Sequence, residues 1–101
     1  VFPLAEGHVL VVPKKETDYL FDLDDTHLSG IFVFAKSVAQ ALKKVVTCKR
    51  IGVAVIGLEV PHAHIHLIPL QSVDDINFSR PKLKVAPERL QEITNRIKAE
   101  F

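Results

Sequence analysis

His62-Ala63-His64-Ile65-His66-Leu67-Ile68 alternates three imidazoles with apolar side chains inside seven residues. Alternation with a period of two marks a half-buried β-strand, because residues i, i+2 and i+4 point the same way. A strand from His62 to Ile68 sends Ala63, Ile65 and Leu67 into a core and presents His62, His64 and His66 on its other face. Burying neutral imidazoles without partners costs stability, and protonating them side by side makes them repel. Core packing has no use for such a row. Its presence points to chemistry.

Working outward, Gly57 to Pro61 reads as a bend and Ile51 to Ile56 as a second apolar strand, so the two runs form a hairpin. Upstream, Val9 to Val12 lies between Gly7 and Pro13 and reads as a buried strand. Lys14 to Asp25 is polar and turn-rich, with a helical turn expected around Tyr19-Leu20-Phe21. The period then changes. Leu28, Ile31, Ala35, Val38, Leu42 and Val45 form the stripe of an amphipathic helix from about Asp25 to Val46. Asp24, Asp25 and Thr26 are its N-cap candidates, and Lys43, Lys44, Lys49 and Arg50 complement the dipole at its far end. Gln71 to Val85 reads as loop. Pro87 suits the first turn of a last helix with Leu90, Ile93, Ile97 and Phe101 on one face. These elements specify one α+β domain: an antiparallel sheet with one long helix on one face and a C-terminal helix.

Composition narrows the partners. The chain has 101 residues, 48% hydrophobic and 25% charged, with 13 Lys+Arg against 12 Asp+Glu for a formal charge of +1. That is the balance of a globular domain and argues against nucleic acid as a partner, since phosphate-backbone binding needs an excess of cations. No apolar run approaches the ~20 residues that span a bilayer, so no membrane partner is expected. Cys48 is the single cysteine. It has no internal partner for a disulfide, which suits a reducing, cytoplasmic location.

Two chemistries compete for the histidine row. Neutral imidazole is a common zinc ligand. Yet at ~3.4 Å per residue the His62 and His66 backbones of a strand lie ~14 Å apart, too far for one ion to collect the whole row. A further ligand would come from Glu59 or His8, neither at a recognised metal spacing, so no metal site is assigned. The alternative is nucleophilic catalysis: an imidazole nitrogen attacks phosphorus, and water later hydrolyses the phosphoryl-histidine. That needs a fixed tautomer and donors around the phosphate oxygens. His64, with a neighbour on each side, is the natural attacker. His27, near the helix start, reads as a surface residue.

The triad stretch resembles the His-φ-His-φ-His-φ-φ signature of the histidine triad (HIT) family of nucleotide hydrolases and transferases. Gly7-His8-Val9-Leu10-Val11-Val12-Pro13-Lys14 is similar to that family's Gly-His-x-Leu-Val-x-Pro-Lys block. The two blocks stand in the family's order with a helix between them, and the resemblance runs from about Pro3 to Pro69. It implies a HIT-like fold and a homodimer joined through the long helix and a sheet edge. It also implies hydrolysis or transfer at the α-phosphate of purine nucleotide conjugates through a covalent nucleotidyl-histidine, with no cofactor. By position His64 matches the nucleophile, His66 the contact to the phosphate oxygens, His62 the supporting member, and His8 a histidine lining the same pocket. Leu58 and Glu59 occupy the nucleotide-binding positions where hydrolases of the family carry Gln-Ser or Gln-Thr. A carboxylate there repels phosphate unless protonated or turned away. This departure supports an alternative: a catalytically weak nucleotide- or partner-binding module. Glu16 stands where zinc-binding members have histidine, so a structural zinc is not implied. The family's ribose-gripping acidic residue would precede Val1, so residues 1–101 are expected to be one HIT domain lacking its N-terminal strands.

Overall fold

A computed structural model describes residues 6–58, 61–79 and 86–100. Its regular elements are β1 (Val9–Val11), α1 (Asp25–Val45), β2 (Arg50–Ala54), β3 (Ile65–Leu70) and α2 (Pro87–Lys98), with short 3-10 turns at Leu20–Asp22 and Val73–Ile76. Glu59, Pro3 and Phe101, each given a part by the sequence reading, lie outside the described residues.

The sheet order is β1-β3-β2, so the histidine-bearing strand is the central one. Both neighbours run antiparallel to it, Val9 opposite Leu67 on one side and Val53 opposite Leu67 on the other. β1 and β2 are therefore parallel to each other, and α1 is the crossover that carries the chain between them. The hairpin pairing of β2 with β3 is as expected, but its connection runs over residues 55–64 rather than the short bend read from the sequence.

The strand limits also differ. β3 starts at Ile65, not at His62, and β2 ends at Ala54, two residues short of Ile56. Pro13 explains the first difference, because it lacks an N–H and closes β1 just after Val11, leaving nothing for His62 to pair with in a regular ladder. Nor is β1 buried throughout. Val11 is buried, whereas Leu10 and Val12 are 44% and 48% exposed. One side of an edge strand faces the helix and the other does not, so a continuous aliphatic run here alternates in burial.

α1 begins where the carboxylates predict. Asp24 is the N-cap and its side chain accepts the His27 N–H, while Asp25 sits in the first turn and Lys43 and Lys44 in the last. Those charges oppose the partial charges at each helix end. Ile31, Ala35, Val38, Ala41 and Leu42 form the buried face. Ile31, Ala35, Val38 and Leu42 pack with Val11, Ile65 and Leu67 in one core, with Leu28, Val46 and Ile97 against its margin. α2 packs on α1, with Ile93 buried and Ile97 set against the core. Leu90 is 40% exposed, so the expected apolar face narrows at its start. Arg89 adds ion pairs to Glu6 and to Glu92, the latter at 3.0 Å, and these hold its guanidinium above its ordinary value, the Glu6 hydrogen bond being the larger cause. No helix among the described residues is long and apolar enough to cross a membrane.

Candidate active site

β3 divides its side chains as the alternation demands. Ala63, Ile65 and Leu67 are 2%, 0% and 1% exposed, whereas His62, His64 and His66 are all half-buried. The other face is not open along its whole length. Ile68 is fully buried there, because the Val73–Ile76 turn folds back beside Leu70 and Gly52. Only the N-terminal half of β3 and its lead-in present imidazoles.

Each ring has a distinct partner. His62 Nε2 donates to the Pro13 carbonyl at 3.0 Å, and the Ala63 N–H donates to the Thr17 carbonyl at 2.6 Å. These two bonds keep the lead-in beside the chain that leaves β1, taking over where the ladder stops at Val11 and Ile65. His64 Nδ1 donates to the His62 carbonyl at 2.8 Å. A carbonyl oxygen can only accept, so the proton must be on Nδ1, and neutral His64 then carries its lone pair on Nε2. That is the tautomer a nitrogen nucleophile needs.

His66 pairs elsewhere. Its Nδ1 lies 2.9 Å from His8 Nε2, a bond across 58 residues that joins β3 to the residue just ahead of β1. Gly7 makes the approach possible: it is buried with φ +89°, a backbone conformation that glycine adopts without steric cost. The ring centroids run from His64 to His66 at 4.8 Å and from His66 to His8 at 5.1 Å. His66 is thus the middle ring of the cluster. His62 is tied to backbone instead, so the flanking neighbour of His64 on that side is a main-chain carbonyl rather than an imidazole.

Phe78 was not singled out in the sequence, yet its ring meets His66 edge-on at 4.7 Å and His8 at 6.4 Å. Leu58 is 88% exposed and takes no part in the ring cluster. Glu59 lies outside the described residues. His27 is exposed and hydrogen-bonded to Asp24, the surface role read for it. No three His, Cys, Asp or Glu side chains among the described residues converge to hold a metal ion.

Two half-buried imidazoles in contact, one held as the Nδ1–H tautomer and the other bonded to a third, form a site suited to attack on an electrophile beside them. The model of the HIT domain matches residues 1–73. This chain belongs to the HIT domain family. It is 32% identical over 77 residues to a bis(5'-nucleosyl)-tetraphosphatase of Schizosaccharomyces pombe, covering 71% of this chain and 42% of that protein. It is 37% identical over 68 residues to the adenosine 5'-monophosphoramidase HNT1 of Saccharomyces cerevisiae, covering 66% of this chain and 43% of that one. The chain therefore spans less than half the length of either enzyme. A Hit-like protein from Bartonella henselae has the same fold, with a TM-score of 0.83 and 30% identity over 100% of this chain and 76% of that chain. The α+β architecture of this HIT domain, an antiparallel sheet with two helices, is shared with that Bartonella protein.

Proposed function

We propose that this protein is a nucleotidyl hydrolase or transferase acting at the α-phosphate of purine nucleotide conjugates, of the phosphoramidate or dinucleotide type. His64 is the nucleophile. Its Nε2 lone pair attacks phosphorus, the bond to the leaving amine or phosphate breaks, and the leaving group takes up a proton from solvent. Water then attacks the nucleotidyl-histidine, the P–Nε2 bond breaks, and the nucleoside monophosphate departs. The observation that carries this reading is the 2.8 Å bond from His64 Nδ1 to the His62 carbonyl, which selects the nucleophilic tautomer with no second side chain. His66 stabilises phosphate charge, His62 braces the lead-in strand through Pro13, and His8 sets the His66 ring. Two similar enzymes, one a tetraphosphatase and one a phosphoramidase, act on substrates of these two types.

Incubation with adenosine 5'-phosphoramidate should release AMP, unaffected by chelators, and acid-quenched protein should carry a nucleotidyl adduct on the peptide containing His64. A fully active His64→Ala protein would remove the mechanism. One observation favours the second reading, a nucleotide- or partner-binding module: Leu58, in a position expected to grip phosphate, stands 88% exposed. Tight nucleotide binding without AMP release would select it.

We also propose a cytoplasmic homodimer of one HIT domain per chain. Among the described residues β2 is an edge strand with Val53 54% exposed, and beside it Phe32 of α1 is 41% exposed. Between them lies an apolar cavity of about 170 Å³ lined by Phe32, Ala35, Ala39, Val53, Ile65 and Leu67, with Lys36 at its wall. An unpaired edge beside apolar surface favours pairing with a second chain. Sedimentation should give twice the monomer mass, and a stable monomer would oppose it.

A further inference from the structure

The segment following β3 reads from sequence as loop, and the chemistry proposed above makes no use of it. Its bonding shows more order than a loop requires. The Asp75 carboxylate accepts the backbone N–H groups of Gln71 at 2.7 Å and Ser72 at 2.9 Å, closing a capping box on the Val73–Ile76 turn. Gln71 Nε2 donates to the Thr47 carbonyl at 2.9 Å, tying the start of the segment to the chain between α1 and β2. Asn77 Oδ1 then accepts from the Ser79 N–H at 3.0 Å and the Ser79 hydroxyl at 2.6 Å. Two side-chain-to-backbone turns therefore follow one another, and the second spans Phe78.

The result is placement. Phe78 is half-buried, but it does not belong to the hydrophobic core under α1. Its ring neighbours are His66 and His8. The contact with His66 is edge-to-face, 71° between ring planes at 4.7 Å, the geometry that aromatic quadrupoles prefer. His64 meets the same imidazole at 71° and 4.8 Å. His66 is thus held by rings as well as by its bond to His8, and rotation about its Cβ–Cγ bond would break both. Such a terminal torsion is otherwise broad.

We propose that Phe78, carried back over the site by residues 71–79, is a positioning residue that fixes the plane of the His66 imidazole against His8. Phe78 touches no reacting atom. It acts through His66, and its effect on turnover rests on the reading of His66 as the ring that meets phosphate.

The test replaces Phe78 by Ala, by Leu and by Tyr, and reads the ring nitrogens of each histidine by long-range proton–nitrogen NMR. Phe78→Ala and Phe78→Leu should both move the His66 and His8 nitrogen signals toward tautomer-averaged positions. His62 and His64, held by backbone carbonyls, should keep theirs. Phe78→Tyr, which keeps the ring, should match the parent. In turnover of adenosine 5'-phosphoramidate, the Ala and Leu variants should lose about tenfold in kcat with KM little changed, less than the ~10²-fold that a full 1 Å misplacement costs. Leu preserves apolar bulk, so it keeps the test alive if the Ala variant does not fold. His66 signals unchanged in the Leu variant overturn the proposal. A parent protein that releases no AMP would sink the functional reading alone, since the NMR comparison decides the positioning role without turnover.

Discussion

Two histidine pairs in this molecule use the same side chain for opposite ends. His27 bonds to Asp24, three residues away in the first turn of α1, with both side chains about half exposed. His66 bonds to His8, 58 residues away, in a cluster of half-buried rings. Beside the Asp24 carboxylate the ring adds a second bond to the helix start. Between two imidazoles one nitrogen must be unprotonated for the bond to exist, so at least one ring of the pair must be neutral. The partner, not the histidine, decides whether a ring caps a helix or joins a cluster of rings.

His64 is where that contrast should break most sharply. His64→Ala should cost at least ~10³-fold in AMP release, measured by single-turnover assay, because a covalent route has no substitute nucleophile. The melting temperature should barely move, since the lost bond is to a local carbonyl and His64 is not part of the core. Gly7→Ala attacks the other pair through the backbone. A Cβ there would combine a φ of +89° with a 2.8 Å approach to Val46, and should cost about 2 kcal/mol by urea unfolding. His8→Ala should reduce turnover about tenfold with stability nearly intact, as one oriented hydrogen bond to His66 is lost.

The Asp24 pair sharpens the comparison from the other side. Desolvation pushes the Asp24 carboxyl up, but the His27 side chain, the His27 N–H and the His27 charge together hold it below its ordinary 3.8. A depressed folded value means that the pair's contribution to stability is present above 3.8. It is lost as pH falls through 3.8 and then through the lower folded value. Asp24→Asn should flatten that stretch of the acid-unfolding curve and leave turnover unchanged, as read by circular dichroism and the AMP assay. Gly30→Ala is the smallest expected change. A methyl group there meets nothing within 4 Å, so α1 should gain about 0.5–1 kcal/mol in thermal unfolding.

What the sequence made legible follows from how local the signal is. Period-two alternation placed Ala63, Ile65 and Leu67 in the core, and a stripe of period 3.6 placed Ile31, Ala35, Val38 and Leu42 against them. Both are decided within a few residues. The limits of β3 were not legible, because Pro13, far away in the chain, ends the partner strand. Phe78 was invisible for the same reason. Its contact with His66 arises only after the chain has turned back through Asp75 and Asn77, and no spacing in the sequence announces that return. The order of the rings was also beyond reach: alternation gives a shared face, whereas the bond from His8 makes His66 the middle member.

The proton on His64 Nδ1 rests on a peptide oxygen two residues earlier in the same chain. Every amino acid supplies that oxygen, so no single substitution at His62 can abolish it directly. Under the proposed mechanism, substitutions around the pocket can therefore change leaving group, base or affinity while the His64 Nε2 lone pair stays in place.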